Sequence, residues 1–273
     1  MGLNNPIGIK SLKPLQKPFI MNPFRFGGVT PFSNDTGLKA YWKFDQASGD
    51  IINVSQAAAD LGTAADLQVD SALYEQTGIP ANDKSLLFDG SNDQAQAGTS
   101  TSQFNFLHNP NNIWTINFWL KYGGDTAVNN ILDSNGGGGT ARVGTVIEIN
   151  ANESIKLSIF LGAPTKYVLN FDSSASFVPS DNLFHFYCLR WNQNLATDNL
   201  LCSIDDGTPE RKNKTAETPS SAASAYPLNM AAYANNYGAW LAGNLTEFSI
   251  FNRFLTDSEV TELYNGGNGL AIY

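Results

Sequence analysis

Residues 243–267 read GNLTEFSIFNRFLTDSEVTELYNGG. The first half alternates as a β-strand does, and the second half carries a helix start. Thr256 and Glu259 have the Thr-x-x-Glu spacing of a capping box, and Asp257 adds negative charge at the helix N-terminus. Val260, Leu263 and Tyr264 give one apolar face at i, i+3 and i+4, and Gly266 and Gly267 can end the helix. A helix this short is marginal alone. It is expected to pack on a sheet, as a lid over one end.

Working back from that ending, strand patterns recur along the chain. AYWKFDQ (40–46) sets Tyr41 and Lys43 against Trp42 and Phe44. SLLFDGSNDQAQAG (85–98) is a strand, an Asp-Gly turn and a second strand. IWTINFWLKYG (113–123) places Trp114, Ile116, Phe118 and Leu120 on one face, opposite Thr115, Asn117, Trp119 and Lys121. GTVIEIN (144–150), SIKLSIFLG (154–162), KYVLNFD (166–172), LFHFYCLRWN (183–192) and NLLCSIDDG (199–207) continue the series. Strands separated by Gly, Asn and Asp at this regular spacing predict an all-β, two-sheet antiparallel jelly-roll sandwich. Two stretches interrupt it. The Ala-rich 55–67 suits a short surface helix, and 215–238 reads as a long low-complexity loop. No internal repeat points to a propeller or solenoid.

Composition agrees. The 273 residues include 17 Phe, 10 Tyr and 5 Trp, with only 15% charged residues. Net charge is -9 and unevenly spread. Residues 1–34 hold Lys10, Lys13, Lys17 and Arg25 with no Asp or Glu, a local +4, which leaves -13 on the remainder. An acidic body repels nucleic acid and anionic membranes. No apolar run reaches the roughly 18 residues a membrane span needs. The first stretch has no signal-peptide core, so a cytoplasmic site of synthesis is expected.

The division predicted is an extended N-terminal arm over 1–34 and a single domain over 35–273. The arm's prolines exclude it from a sheet interior. Its candidate partner-anchoring residues are Lys13, Lys17, Phe19, Phe24, Arg25 and Phe26. A solvated basic tail is the alternative. Cys188 and Cys202 are each seven residues from Leu195, so a turn centred there brings them face to face. A cross-strand disulfide is then geometrically open, but with no secretion signal two buried thiols are expected.

Little in the sequence points to catalysis. Glu148 and Glu153 are separated by a turn, Glu247 is alone on its strand, and His108 and His185 are isolated. No Gly-x-Ser-x-Gly elbow occurs, and the glycine-rich 134–144 lacks the Lys-Ser/Thr of a phosphate loop. AAYANNYGAW (231–240) is the candidate glycan site, with Tyr233, Asn235, Asn236 and Tyr237 beside Trp240. Sugars stack on exposed rings and hydrogen-bond to amides. The alternative is that Tyr233 and Trp240 are core and the two Asn make a turn.

LKAYWKFDQASGD, SLLFDGSNDQAQAG, WTINFWLKYG, LFHFYCLRWNQN with NLLCSIDDG, and AGNLTEFSIFNRFLTDSEVTELYNGG together resemble laminin-G-like, concanavalin A-like jelly-roll domains. The resemblance runs in order over about residues 38–268. Glucanases of this fold use a Glu-x-Asp-x-x-Glu pair, and no such run occurs here, so a non-enzymatic domain is expected. The resemblance also implies a structural calcium near the first and last strands, for which Asp45 and Glu247 are the candidates. The family's Asp-Glu is here Thr246-Glu247, which removes one carboxylate. The NPFRFGG arm resembles arrangements in tailed-phage virion proteins. That likeness implies a virion location, with other virion proteins as partners. Multiple copies on a particle and adhesion to a cell-surface glycan are implied as well. A soluble carbohydrate-binding module is the alternative.

Overall fold

The computed structural model describes residues 31–55, 61, 65–136, 142–162, 167–235 and 238–273. Among these the compact unit is Pro31–Tyr273. The strands in chain order begin with β1 (Leu38–Trp42), β2 (Leu67–Asp70), β3 (Leu73–Ile79), β4 (Asn82–Asp89) and β5 (Gln94–Ala97). Next come β6 (Ile113–Tyr122), β7 (Asn129–Asp133), β8 (Val143–Ile149), β9 (Ile155–Leu161) and β10 (Tyr167–Asp172). The last are β11 (Phe184–Asn192), β12 (Leu200–Ile204), β13 (Glu210–Lys212), β14 (Leu228–Met230) and β15 (Ala242–Phe251), followed by helix α1 (Asp257–Tyr264). They form the expected two antiparallel sheets. One has the order β13-β12-β11-β6-β15-β4-β3 with β1 also on β15, and the other β10-β9-β8-β7-β14-β5-β2.

Alternation in β6 sets the layers. Trp114, Ile116, Phe118 and Leu120 face the inter-sheet core with Trp42, Trp191, Ile147, Leu157 and Phe248. Phe118 stacks between Phe248 at 5.1 Å and Tyr187 at 5.3 Å. Such ring pairs contribute about 1 kcal/mol beyond their buried area. Trp119, on the opposite face, joins Tyr41, Phe186, Phe251, Leu255, Val260 and Leu263 in a second core under α1. The helix is capped as its sequence predicts: Thr256 accepts from the Glu259 N–H, and Glu259 accepts from the Thr256 N–H. It ends at Asn265, which takes the left-handed conformation one residue before the glycines.

Strand β15 has two partners on one edge. β4 pairs with Ala242–Leu245, and β1 pairs with Phe248–Phe251. The register against β6 shifts between Thr246 and Ser249, and Glu247 sits in this bulge at φ +51°. The extra residue lets Leu245 and Phe248 both face the inner core.

Three details depart from the sequence reading. The 215–238 segment is not loop throughout, because Leu228–Met230 forms β14 between β7 and β5. Cys202 pairs with Leu189, and Cys188 with Ser203. Both thiols are free and buried, Cys188 in the outer core and Cys202 in the inner. A half-residue shift of the hairpin centre sends them to opposite faces. The helix proposed for 55–67 falls largely outside the described residues, and its end, Leu67, starts β2. The six arm residues also lie outside the described residues. From Phe32 onward the chain is tied down: Phe32 N–H donates to the Ala271 carbonyl at 3.0 Å, and the Tyr273 hydroxyl donates to Asp35 at 2.8 Å.

Candidate functional site

The outer face of the seven-stranded sheet carries two polar rows, fixed by register. One runs Asp172–Lys156–Glu148–Asn130 across β10, β9, β8 and β7. The other runs Asp133–Asn229–Gln96–Gln68 across β7, β14, β5 and β2. Asn130 and Asp133 share a face because β7 shifts register between Asn130 and Leu132. The inward neighbours Leu132, Ile147, Leu157 and Met230 belong to the core. The central members Asn130, Asp133, Glu148 and Asn229 are buried, whereas Lys156, Asp172, Gln96 and Gln68 toward the two ends keep exposure and can hydrogen-bond outward.

The segment after β14 folds onto that face. The Tyr233 hydroxyl donates to Glu148 at 3.2 Å, and Glu148 also accepts from Lys156 Nζ at 2.6 Å. Burial, then the neighbouring Glu148 carboxylate, pushes the Tyr233 hydroxyl pKa well above its ordinary value. Ala234 N–H donates to Asp133 Oδ2 at 3.1 Å. Asp133 Oδ1 accepts from the N–H groups of Asn135 and Gly136, so one buried carboxylate clasps both loops. The Gly136 carbonyl accepts from Asn235 at 2.9 Å and from Arg142 at 2.8 Å. The Arg142 guanidinium lies 5.3 Å from the Tyr226 ring centre. A Cβ on Gly136, at φ +84°, would sit 2.4 Å from that ring, so glycine is required there.

Tyr233 and Asn235 are therefore brought together on one loop, with Trp240 on the same segment. All three are half-buried, so neither ring is a full core residue. Asn236 and Tyr237 lie outside the described residues. Sequence reasoning missed Asp133, Arg142, Tyr226 and the polar rows. The Asp133-Ser-Asn-Gly run was a readable signal, since an Asp side chain accepting from the next N–H groups nucleates such a turn.

Asp45 and Glu247 lie at the other sheet. Asp45 pairs with Lys43 at 3.4 Å. Glu247 is buried and accepts from the Tyr41 hydroxyl. Burial drives its carboxyl up to about 7, against the opposing effect of that hydrogen bond. The nearby Lys43 and Lys84 carbonyls accept from the Thr246 hydroxyl at 3.1 and 2.9 Å, and Lys43 also from the Asn82 amide at 2.5 Å. Among the described residues no three His, Cys, Asp or Glu side chains converge as a metal set. Calcium takes six to eight oxygens. The two carbonyls and one Glu247 oxygen already accept from protein donors and Asp45 is paired with Lys43, so the set falls short of the oxygens the ion needs.

His185 bridges Asp205 (2.5 Å) and Asp181 (3.2 Å). Burial opposes its protonation, but the two carboxylates outweigh that and raise its pKa. His108 is buried against the Ala222 carbonyl at 3.0 Å, and burial lowers its pKa.

The fold is shared with solved structures of low sequence identity. The botulinum neurotoxin serotype D binding domain aligns with a TM-score of 0.58 at 12% identity, covering 85% of this chain and 52% of that one. The binding domain of botulinum neurotoxin DC in complex with SialylT gives 0.56 at 14%, covering 85% and 52%. Trypanosoma rangeli sialidase in complex with sialic acid gives 0.55 at 12%, covering 84% and 33%. This chain thus spans about half the length of the two toxin domains and a third of the sialidase. At these identities the likeness carries the fold alone. A comparison with curated proteins finds no match. A family model described as the Concanavalin A-like lectin/glucanases superfamily matches residues 89–261. With that match across more than half its length, the chain belongs to the concanavalin A-like lectin/glucanase superfamily.

Proposed function

We propose that this chain is a non-catalytic glycan-binding module whose site is the outer face of the seven-stranded sheet around Tyr233. The observation that carries this reading is the half-buried Tyr233 ring, bonded to Glu148 and followed by Ala234 and Asn235 bonded to Asp133 and Gly136, beside two rows of amide and carboxylate side chains. A ring for a sugar's apolar face beside convergent donors and acceptors is the chemistry of carbohydrate recognition. Further support comes from a binding domain of this fold in complex with SialylT. Hydrolysis is not part of the reading. Both Asp133 oxygens are taken by backbone N–H groups, and Glu148 is held by Lys156 and Tyr233, so neither is a free acid or nucleophile. The test is a glycan array, followed by calorimetry on any hit with Tyr233→Ala and Asn235→Ala. Loss of about tenfold or more in affinity is expected, unchanged by a calcium chelator. Wild-type affinity in both variants would exclude this face.

A second, compatible reading is display on a virion through residues 1–30. It is favoured by the +4 charge of the first 34 residues against a strongly acidic remainder. Other virion proteins would be the partners, and many copies the expected arrangement. Deleting residues 1–30 leaves Phe32 and its contacts in place, so the domain is expected to fold but not to attach. Normal incorporation of that truncation into particles would end this reading.

A further inference from the structure

On the far side of the molecule, the flank of α1 and the turn between β12 and β13 enclose a cavity of about 290 Å³. Its floor is Arg190 and Ser203, and its walls include Asp206, Thr208, Asp257 and Thr261. Arg190 projects from the outer face of β11 and is 3% exposed. Its Nη1 donates to the Leu255 carbonyl at 3.1 Å and to Asp257 at 2.6 Å, and the guanidinium lies 5.3 Å from the Phe254 ring centre. The buried Nε has no partner. Among the described residues Nη2 has none either, nor does the Ser203 hydroxyl. Nε is sealed from solvent, so Nη2 and the Ser203 hydroxyl are the donors within reach of a visiting acceptor at the cavity floor.

The charges around the cavity limit what that acceptor can be. Asp257 neutralises Arg190, and Asp206 adds a second carboxylate at the mouth, where it accepts from Thr261 at 3.0 Å. An anion entering would meet two carboxylates around one guanidinium. A cation would be driven onto the buried guanidinium. A neutral hydroxyl-rich molecule meets neither difficulty, because each hydroxyl accepts from Arg190 and donates to Asp206 or Ser203. The volume is near the lower end of small-molecule sites, about 300 Å³, which suits one sugar ring.

We propose that this cavity is a second binding site, for a neutral monosaccharide unit held by Arg190, Ser203 and Asp206. It stands independently of the Tyr233 face, since the two sites lie on the outer faces of opposite sheets. The experiment is an amide-resolved NMR titration of the full chain with glucose, galactose, mannose, N-acetylglucosamine and, as the anionic comparison, sialic acid. Saturable shifts at Ser203, Gly207, Thr208 and Thr261 are expected with at least one neutral sugar, with sialic acid about tenfold weaker. Arg190→Lys, which keeps the charge and loses the fork, and Asp206→Asn are each expected to weaken binding about tenfold, as loss of a charged hydrogen bond predicts. Tyr233→Ala is expected to leave these shifts unchanged, which separates failure here from failure at the other face. Ser203→Ala serves as a further variant if Arg190→Lys does not fold. No saturable shift at those amides with any neutral sugar would overturn the proposal, and so would equal or tighter binding of sialic acid there.

Discussion

The Tyr41 hydroxyl donates to the Glu247 carboxylate beneath the C-terminal segment, joining the first strand of one sheet to the bulge of its longest partner. Among the described residues no cation lies close enough to Glu247 to form an ion pair, and burial outweighs the hydrogen bonds from Tyr41 and Asn82 and the attraction of Lys43. The neutral acid is therefore the form the fold prefers.

A stability dependence on pH follows from this. The Glu247 carboxyl is raised from 4.5 to about 7, so the native chain holds a proton that the unfolded chain releases. Its contribution is fully present below about pH 4.5 and is lost as pH rises through about 7. The loss is on the order of 3 kcal/mol. Urea unfolding of the wild type at pH 4.5, 6 and 8 should show this fall. Glu247→Gln keeps an acceptor for Tyr41 and should lose most of the slope. An unchanged slope in the variant would place the titration elsewhere.

Glu259 should behave with the opposite sign. Burial pushes its carboxyl up, but hydrogen bonds from Arg253 and from the Thr256 backbone and side chain outweigh this and hold it at about 2. Its contribution is present above the ordinary carboxylate range and is lost as pH falls toward 2. Glu259→Gln should therefore be less stable than wild type at pH 7 and indistinguishable from it at pH 2. Thr256→Ala should cost about 1 kcal/mol at neutral pH. Both are read from chemical denaturation.

Gly144 links stability to the proposed glycan face. It sits at φ +150°, and an added Cβ would lie 2.8 Å from the Asn135 nitrogen and the Ser134 carbonyl group. Those atoms are backbone and cannot turn aside. Gly144→Ala should destabilise by roughly 1–3 kcal/mol. It should also weaken any glycan bound near Asp133, because Ser134 and Asn135 must move. Melting temperature and calorimetric affinity should fall together.

The two cysteines should be inert in the folded protein. Both are fully buried, and burial raises the Cys188 thiol to about 12. A thiol reagent should label neither at pH 8 without denaturant and both in 6 M guanidinium. Mass spectrometry without reductant should show no loss of two hydrogens. Rapid labelling of the native protein would contradict the placement.

Most of the fold was legible because β6, β8, β9 and β11 alternate, and alternation survives any tertiary context that keeps one face wet or lidded. The capping box of α1 was equally readable, since both partners are local in sequence. What escaped reading was set by single-residue events. The bulges at Thr246–Ser249 and Asn130–Leu132 each add a residue that no pattern announces, and each changes which side chains share a face. The same sensitivity separated Cys188 from Cys202. β14 is three residues long, too short for a period to show. Tyr233 and Asn235 could be picked out as a candidate from composition. The local turn at Asp133 was readable too, but its bond to Ala234 and the setting of Arg190 were not, because they depend on contacts 101 and 67 residues away.

The bond between Phe32 and Ala271 means that both ends of the folded body leave from the helix-bearing side, on the outer core that includes Phe32 and Ile272. Any leash attached there, whether to a larger assembly or to a surface in an assay, would turn the Tyr233 face outward and hold the Arg190 cavity near the support. Fixing the folded body at Phe32 would thus present one recognition surface freely and crowd the other.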